Sequence, residues 1–156
     1  YLGKSQFADP LFSGKLEDVE IADYAMTAAQ ISTLYSGGPN PNYTSGIWTN
    51  NANGNWSTNS NWSGGLVASG AGRMADFSTI NITADRIVTV DSARTNGSLR
   101  FGDMSGTQNW FLSGTGPLNL DGGGANAPSV AVIQNTAVVS VPLNGTNGLA
   151  KSGVFE

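Results

Sequence analysis

Aromatic and amide side chains alternate along residues 43–62, and they are the residues best suited to chemistry. Aromatic faces stack on the C–H-rich faces of sugar rings, and asparagine amides both donate to and accept from hydroxyl groups. One hypothesis is therefore a carbohydrate-binding surface. Its candidate residues are Tyr43, Trp48, Asn55, Trp56, Asn61, Trp62 and Trp110. The alternative is that the tryptophans plug the open end of a stack of β-coils, whose terminal apolar face must be covered.

Carboxylates are the other reactive groups, and two of them at a fixed separation could hydrolyse a glycosidic bond. The candidates are Asp76, Asp85, Asp91, Asp103 and Asp121. Most lie beside Gly, Arg or Thr at predicted corners, where turn formation and ion pairing explain them. The glycines at 122–124 could form an amide nest for an ion, but a corner is the simpler interpretation. We therefore expect no catalytic residue, no metal site and no cofactor.

The composition excludes whole classes of function. The 156 residues contain no histidine and no cysteine. A Ser-His-Asp triad, a thiol nucleophile, a disulfide and a zinc site with Cys or His ligands are therefore excluded. With a net charge of −4, the chain lacks the basic surface that binding to nucleic acid needs. No apolar run reaches the roughly 18 residues of a membrane-spanning helix, and an enzyme is the least expected class.

The composition changes near residue 37, which divides the chain into residues 1–36, a Gly- and Pro-rich linker at 37–45, and residues 46–156. The first segment predicts a strand over 12–21 and a short helix over 28–35. In the last segment, short apolar stretches are separated by Gly and Asn. Every second stretch recurs after about 20 to 22 residues, which favours a β-solenoid of about two coils. A meander or sandwich is the alternative.

The first segment resembles the C-terminal end of a laminin-G-like, concanavalin-A-type jelly roll. The resemblance rests on the order of YLGKSQ at 1–6, FSGKLEDVEI at 12–21 and AMTAAQI at 25–31. It covers about 36 residues, and it departs from the family at Glu17, where Asp is usual. It implies that residues 1–36 are the end of a sandwich whose earlier strands, with any sugar or calcium site on them, are not in this chain.

Residues 46–156 resemble the autotransporter-associated β-strand repeat proteins. The matching motifs are GIWT at 46–49, NWS at 55–57, NWSGG at 61–65, ADF at 75–77, ITADRIVTVD at 82–91, GSLRFGD at 97–103 and NGTNGL at 144–149. The resemblance implies an all-β fold, namely the start of a right-handed parallel β-helix. It also favours capping over sugar binding for the tryptophans, and it implies that the chain is an internal piece of a longer bacterial polypeptide.

The expected function is a non-enzymatic scaffold or adhesion-type module of a larger bacterial protein, secreted or at the cell surface. Weak contact with a polysaccharide or other glycan would be a secondary property. Two alternatives stay open. One is a carbohydrate-binding module of a polysaccharide-degrading enzyme, which requires coplanar, exposed tryptophans. The other is the subunit of an extracellular fibre that self-assembles through open β edges.

Overall fold

Short β-strands build the fold of the computed structural model, which describes residues 45–145 and 147–153. Two 3₁₀ turns, Asn59–Asn61 and Ser63–Gly65, follow the second strand. The strands are β1 (Gly46–Ile47), β2 (Gly54–Asn55), β3 (Gly70–Phe77), β4 (Arg86–Thr89), β5 (Arg94–Phe101), β6 (Trp110–Ser113), β7 (Leu118–Leu120), β8 (Ser129–Val132), β9 (Ala137–Val139), β10 (Leu143–Gly145) and β11 (Ala150–Ser152).

The strands pair in parallel with strands of the next coil. One sheet has the order β1-β3-β5-β7-β10, with β8 also on β5 and β11 on β8. The other has the order β2-β4-β6-β9. Apart from one antiparallel bridge between Trp48 and Trp62, every strand pair in the part described is parallel. A meander needs antiparallel neighbours. The prediction of an all-β, parallel β-solenoid is confirmed.

The number of coils differs from the sequence-based expectation. The strand spacing predicted about two coils, whereas the solenoid has about four turns. The prediction used only the apolar stretches between residues 87 and 141. The structure adds β3, where Gly, Arg and Asp interrupt the apolar residues. It also adds the two- and three-residue strands β1, β2, β10 and β11, which carry little apolar signal. Backbone pairing with a stronger neighbouring strand, rather than side-chain hydrophobicity, makes these segments strands.

The core is built by stacking like residues on like. Parallel register places Val88, Leu112 and Val139 above one another on β4, β6 and β9. On the opposite sheet Phe77 lies in register with Phe101, and their rings stack with centroids 5.1 Å apart and planes inclined by 8°. Apart from the half-buried Val139, these side chains are almost completely buried. Each coil therefore extends the core of the coil before it.

A close backbone crossing links three coils. Strand β3 bulges between Gly70 and Met74, and the bulge brings Gly72 against Gly97 of β5. A Cβ atom on Gly97 would lie 2.4 Å from the Cα atom of Gly72. The Gly72 N–H donates to the carbonyl of Asp121 at 2.8 Å. The bulge thus crosses over β5 and binds the chain just after β7, which only a residue without a side chain at 97 permits.

Some predictions lie outside the described residues. These are the strand over 12–21, the short helix over 28–35, the jelly-roll remnant at 1–36 and, up to residue 44, the linker. Within the described ranges, no helix is long and apolar enough to cross a membrane.

Substitution of Gly97 by Ala tests the backbone crossing. The added methyl group meets backbone atoms that no rotamer change can move, so we expect unfolding to become easier by about 1–3 kcal/mol. Chemical denaturation followed by circular dichroism measures the difference. The control is Ser98→Ala, one residue along β5, where the side chain is only half-buried. Equal stabilities of the two variants would contradict the crossing.

Candidate functional site

Three of the candidate tryptophans lie in the first coil and form one aromatic cluster around Phe77, the last residue of β3 in the second coil. The ring centroids of Trp48, Trp56 and Trp62 lie 5.7, 5.5 and 5.6 Å from that of Phe77. Trp110 joins from the third coil at 5.5 Å. Pairs at these distances and inclinations are favourable arrangements of aromatic quadrupoles. Phe77 therefore connects the tryptophans to the aromatic stack that continues to Phe101.

Burial and orientation decide what the indoles can contact. The exposed fractions of Trp48, Trp56, Trp62 and Trp110 are 0%, 0%, 2% and 1%. The Trp62 ring is inclined by 85° to Trp48 and by 55° to Trp56. A sugar-binding platform needs coplanar faces open to solvent, and these rings are neither coplanar nor open. The arrangement favours capping of the solenoid core over sugar binding.

The indole N–H groups are all used within the protein. Trp56 donates to the carbonyl of Ala68 at 2.9 Å, and Trp62 donates to the carbonyl of Trp56 at 2.7 Å. Trp48 and Trp110 donate to the carbonyls of Asn50 and Gly102. A buried indole that donates to a backbone carbonyl fixes the position of the chain as well as filling volume. The tryptophans therefore hold the bends of the first coil in place.

The candidate asparagines separate into an exposed and a buried residue. Asn61 is 7% exposed, donates to the carbonyl of Asn55 at 2.9 Å and accepts from Asn50 Nδ2 at 2.9 Å. Asn55 is exposed, and its backbone belongs to β2. Asn61 thus closes the turn beneath the tryptophans and is not free for a ligand. Tyr43, the remaining candidate, lies outside the described residues.

Two asparagines outside the candidate set bind the second coil directly. Asn51 Oδ1 accepts from the Thr83 N–H at 3.1 Å and from Arg86 Nη2 at 2.9 Å. Asn53 Oδ1 accepts from the Ile87 N–H at 2.9 Å. The two side-chain amides accept hydrogen bonds from backbone N–H groups at the edge of the second coil, as a neighbouring strand would otherwise do. Residues 51–53 form a bend before β2 rather than a strand, so no periodic pattern in the sequence marks these two contacts.

The aspartates are bound to corners of the solenoid. Asp103 is 1% exposed and accepts from the Ile82 N–H at 3.1 Å. Asp85 accepts from the Asn109 N–H at 2.7 Å, and Asp121 accepts from the Gly123 N–H at 2.9 Å. Asp76 accepts from the Ser78 N–H and hydroxyl. These contacts favour turn formation as the role of the carboxylates, and the Asp121 contact uses an amide that an anion nest would need.

Asp91 links the first coil to the second through Ser57. The Ser57 N–H donates to Asp91 Oδ1 at 3.1 Å, and the Ser57 hydroxyl donates to Oδ2. Partial burial alone would raise the pKa of Asp91, but the hydrogen bonds from Ser57 and the positive charge of Arg94 outweigh it. The pKa of Asp91 is therefore lowered from its ordinary value of 3.8. This contact stabilises the ionised form and ties the two coils together.

The outward face of the four-stranded sheet is a second candidate surface. Ile87 lies in register with Phe111, and Phe111 with Val138, which gives one apolar residue per coil. Ile87 is 41% and Val138 38% exposed, and Phe111 is half-buried. The hydroxyl groups of Thr89 and Ser113 form a neighbouring row. This apolar row and its hydroxyl neighbours carry no charge. The sequence analysis did not identify the surface, because apolar stretches predict strands without showing which of their residues face solvent.

Comparison with known proteins gives no relative for this chain. No family model matches it, and no curated protein and no solved structure matches it. The resemblances to autotransporter-associated repeats and to a laminin-G-like sandwich therefore stay predictions based on motif order. The described residues also include no group of three or more acidic residues placed to hold a metal ion.

Substitution of Asp91 by Asn tests the link between the first two coils. The folded pKa lies below the unfolded one, so the stabilisation is complete above the unfolded pKa of about 4. It is lost as the pH falls through the folded pKa. We therefore expect Asp91→Asn to be less stable than the wild type at pH 7, with a smaller difference at pH 2.5. Denaturant titrations at both pH values measure it.

Ser57→Ala is the matched control for that experiment. It removes the hydroxyl donor, so it should weaken the same contact and add little in the Asp91→Asn background. Equal losses at pH 7 and pH 2.5 for Asp91→Asn would contradict an ionised carboxylate at this position.

Proposed function

We propose that the chain is a non-enzymatic β-scaffold or adhesion-type module of a larger bacterial protein, secreted or at the cell surface. The observation that carries the proposal is the parallel stack of coils with its aromatic core. Such a stack is a quasi-one-dimensional rod in which each coil contacts only its neighbours. A rod of this kind spaces and displays whatever is attached to it. The proposed location is supported by the motif resemblance of residues 46–156.

The proposal includes weak glycan contact as a secondary property. Its support is the uncharged outward face, where the apolar row of Ile87, Phe111 and Val138 runs beside the hydroxyl groups of Thr89 and Ser113. Apolar side chains suit the C–H faces of sugar rings, and hydroxyl groups suit their polar edges. The alternative of a dedicated carbohydrate-binding module has less support, because it relied on the tryptophans as an exposed platform.

Surface labelling tests the proposed location. Antibodies raised against residues 45–153 should label intact cells of the source bacterium, and brief protease treatment of intact cells should remove the label. A cytoplasmic protein of the same cells is the control, and it should stay unlabelled. Labelling that requires permeabilised cells would contradict a surface module. Release of reducing ends from polysaccharides by the purified chain would contradict the non-enzymatic part of the proposal.

A fibre subunit is the second candidate function, and the last described coil favours it. Leu143 of β10 lies in register with Leu118, which is fully buried. Leu143 itself is 47% exposed, and Leu149 beside β11 is 51% exposed. In the part of the chain that the structure describes, no strand pairs with the far side of β9, β10 or β11. An apolar end with unpaired backbone groups accepts a further β-strand.

Substitution of Leu143 by Lys tests the fibre. A charge at this position opposes burial under a second copy, so self-association should weaken at least tenfold. Sedimentation velocity over a range of protein concentrations measures it. The control is Ile87→Lys, which introduces the same charge at a similarly exposed residue on the outward face. A wild-type chain that stays monomeric at every concentration would overturn the fibre proposal. If only Ile87→Lys lost association, the contact between copies would lie on the outward face instead of at Leu143.

A further inference from the structure

Strand β5 begins with two polar residues whose register places them inside the solenoid. Arg94 lies in register with Leu118, and Asn96 lies in register with Leu120. Both leucines are buried, with 0% and 6% of their surfaces exposed. Residues in register on parallel strands project to the same side of the sheet. The side chains of Arg94 and Asn96 therefore start on the core side of β5, where the next coil has leucine.

Neither polar group at this place is satisfied by the protein. Asn96 has no exposed surface, and its Nδ2 and Oδ1 atoms hydrogen-bond to no other described residue. The Nε atom of Arg94 is likewise buried without a partner among the described residues. Burial of an unsatisfied donor or acceptor costs about 1–3 kcal/mol, and native proteins rarely leave such groups unpaired. Three such atoms on alternate residues of one strand point to a small polar ligand.

The neighbouring strand of the coil above places no side chain beside the Asn96 amide. Gly70 is the residue in register with Asn96 on β3, and it has no side chain to fill the layer above the amide. Alternate residues of a strand project to the same side, so side chains that converge can bring their polar atoms within the roughly 5 Å that one water molecule bridges with two hydrogen bonds. The absence of one side chain is compatible with a ligand no larger than a few atoms.

The charges nearby disfavour an ionic ligand, because Arg94 repels a cation and the carboxylate of Asp91 already balances its positive charge. That charge acts on the carboxylate of Asp91, where it helps to lower the pKa. The remaining groups are N–H donors and one amide carbonyl acceptor. Water both accepts from such donors and donates to such an acceptor, and buried water typically makes about three hydrogen bonds.

We propose that Arg94 and Asn96 bind an internal water molecule between the second and third coils. Arg94 Nε–H donates to the water oxygen, and the water donates to Asn96 Oδ1. Asn96 Nδ2 donates to the same water or to a second one beside it. The water site explains why β5 has Arg94 and Asn96 at the inward positions where β7 of the next coil has leucine.

A crystal structure of the full chain at about 1.2 Å resolution tests the site. The expected result is a solvent peak within hydrogen-bonding distance, about 2.7–3.2 Å, of both Asn96 Oδ1 and Arg94 Nε. The same peak should be absent from Asn96→Leu and present in the control Asn119→Leu, whose side chain bonds Asn144 on the outer side of β7. A direct bond from Asn96 to any protein group, including one in residues 1–44, with no solvent peak would overturn the proposal.

Magnetic relaxation dispersion of water oxygen gives a second readout in solution. The wild type should hold at least one more long-lived water than Asn96→Leu, and Asn119→Leu should match the wild type. Equal counts in all three proteins would overturn the proposal. If Asn96→Leu fails to fold, the wild-type electron density alone decides the outcome.

Discussion

Backbone hydrogen bonds between parallel strands hold each coil against the next, and their register decides which side chains meet. Register stacks Phe77 on Phe101, and Val88 on Leu112. A slip by one residue would turn every inward side chain outward. The short strands β1 and β2 are ordered by the longer strands that they pair with, since two residues cannot hold a strand alone. Core, corners and surfaces all follow from this one pairing.

The two ends of the described solenoid differ in chemistry. At the first coil, aromatic rings cover the core and amide side chains such as Asn53 satisfy the strand edge. At the last described coil, Leu143 of β10 and Leu149 just before β11 are half exposed, and no further strand pairs with β10 or β11 in the described part. The proposed fibre contact therefore lies at the last described coil, where these two leucines are exposed.

Much of the architecture could be predicted from sequence, because apolar stretches at regular spacing with Gly and Asn corners define a solenoid. The number of coils could not be predicted, since strands such as Gly54–Asn55 form only because they pair with a neighbouring strand. The motif resemblance favours a capping role of the tryptophans over sugar binding, but the residues alone leave both open, because composition does not reveal burial. The hydrogen bonds of Asn51 to the second coil and the burial of Asn96 without a partner both depend on contacts between coils. No local sequence pattern predicts such contacts.

The placement of the tryptophans has a spectroscopic consequence. Three of the four indoles lie in the segment that forms the first coil, and the fourth contacts the same phenylalanine. Intrinsic fluorescence therefore reports on one end of the rod, whereas far-ultraviolet circular dichroism averages over all coils. Solenoids can open from an end before they unfold globally. Fraying of the last coils would change the dichroism signal and leave the emission maximum where it was.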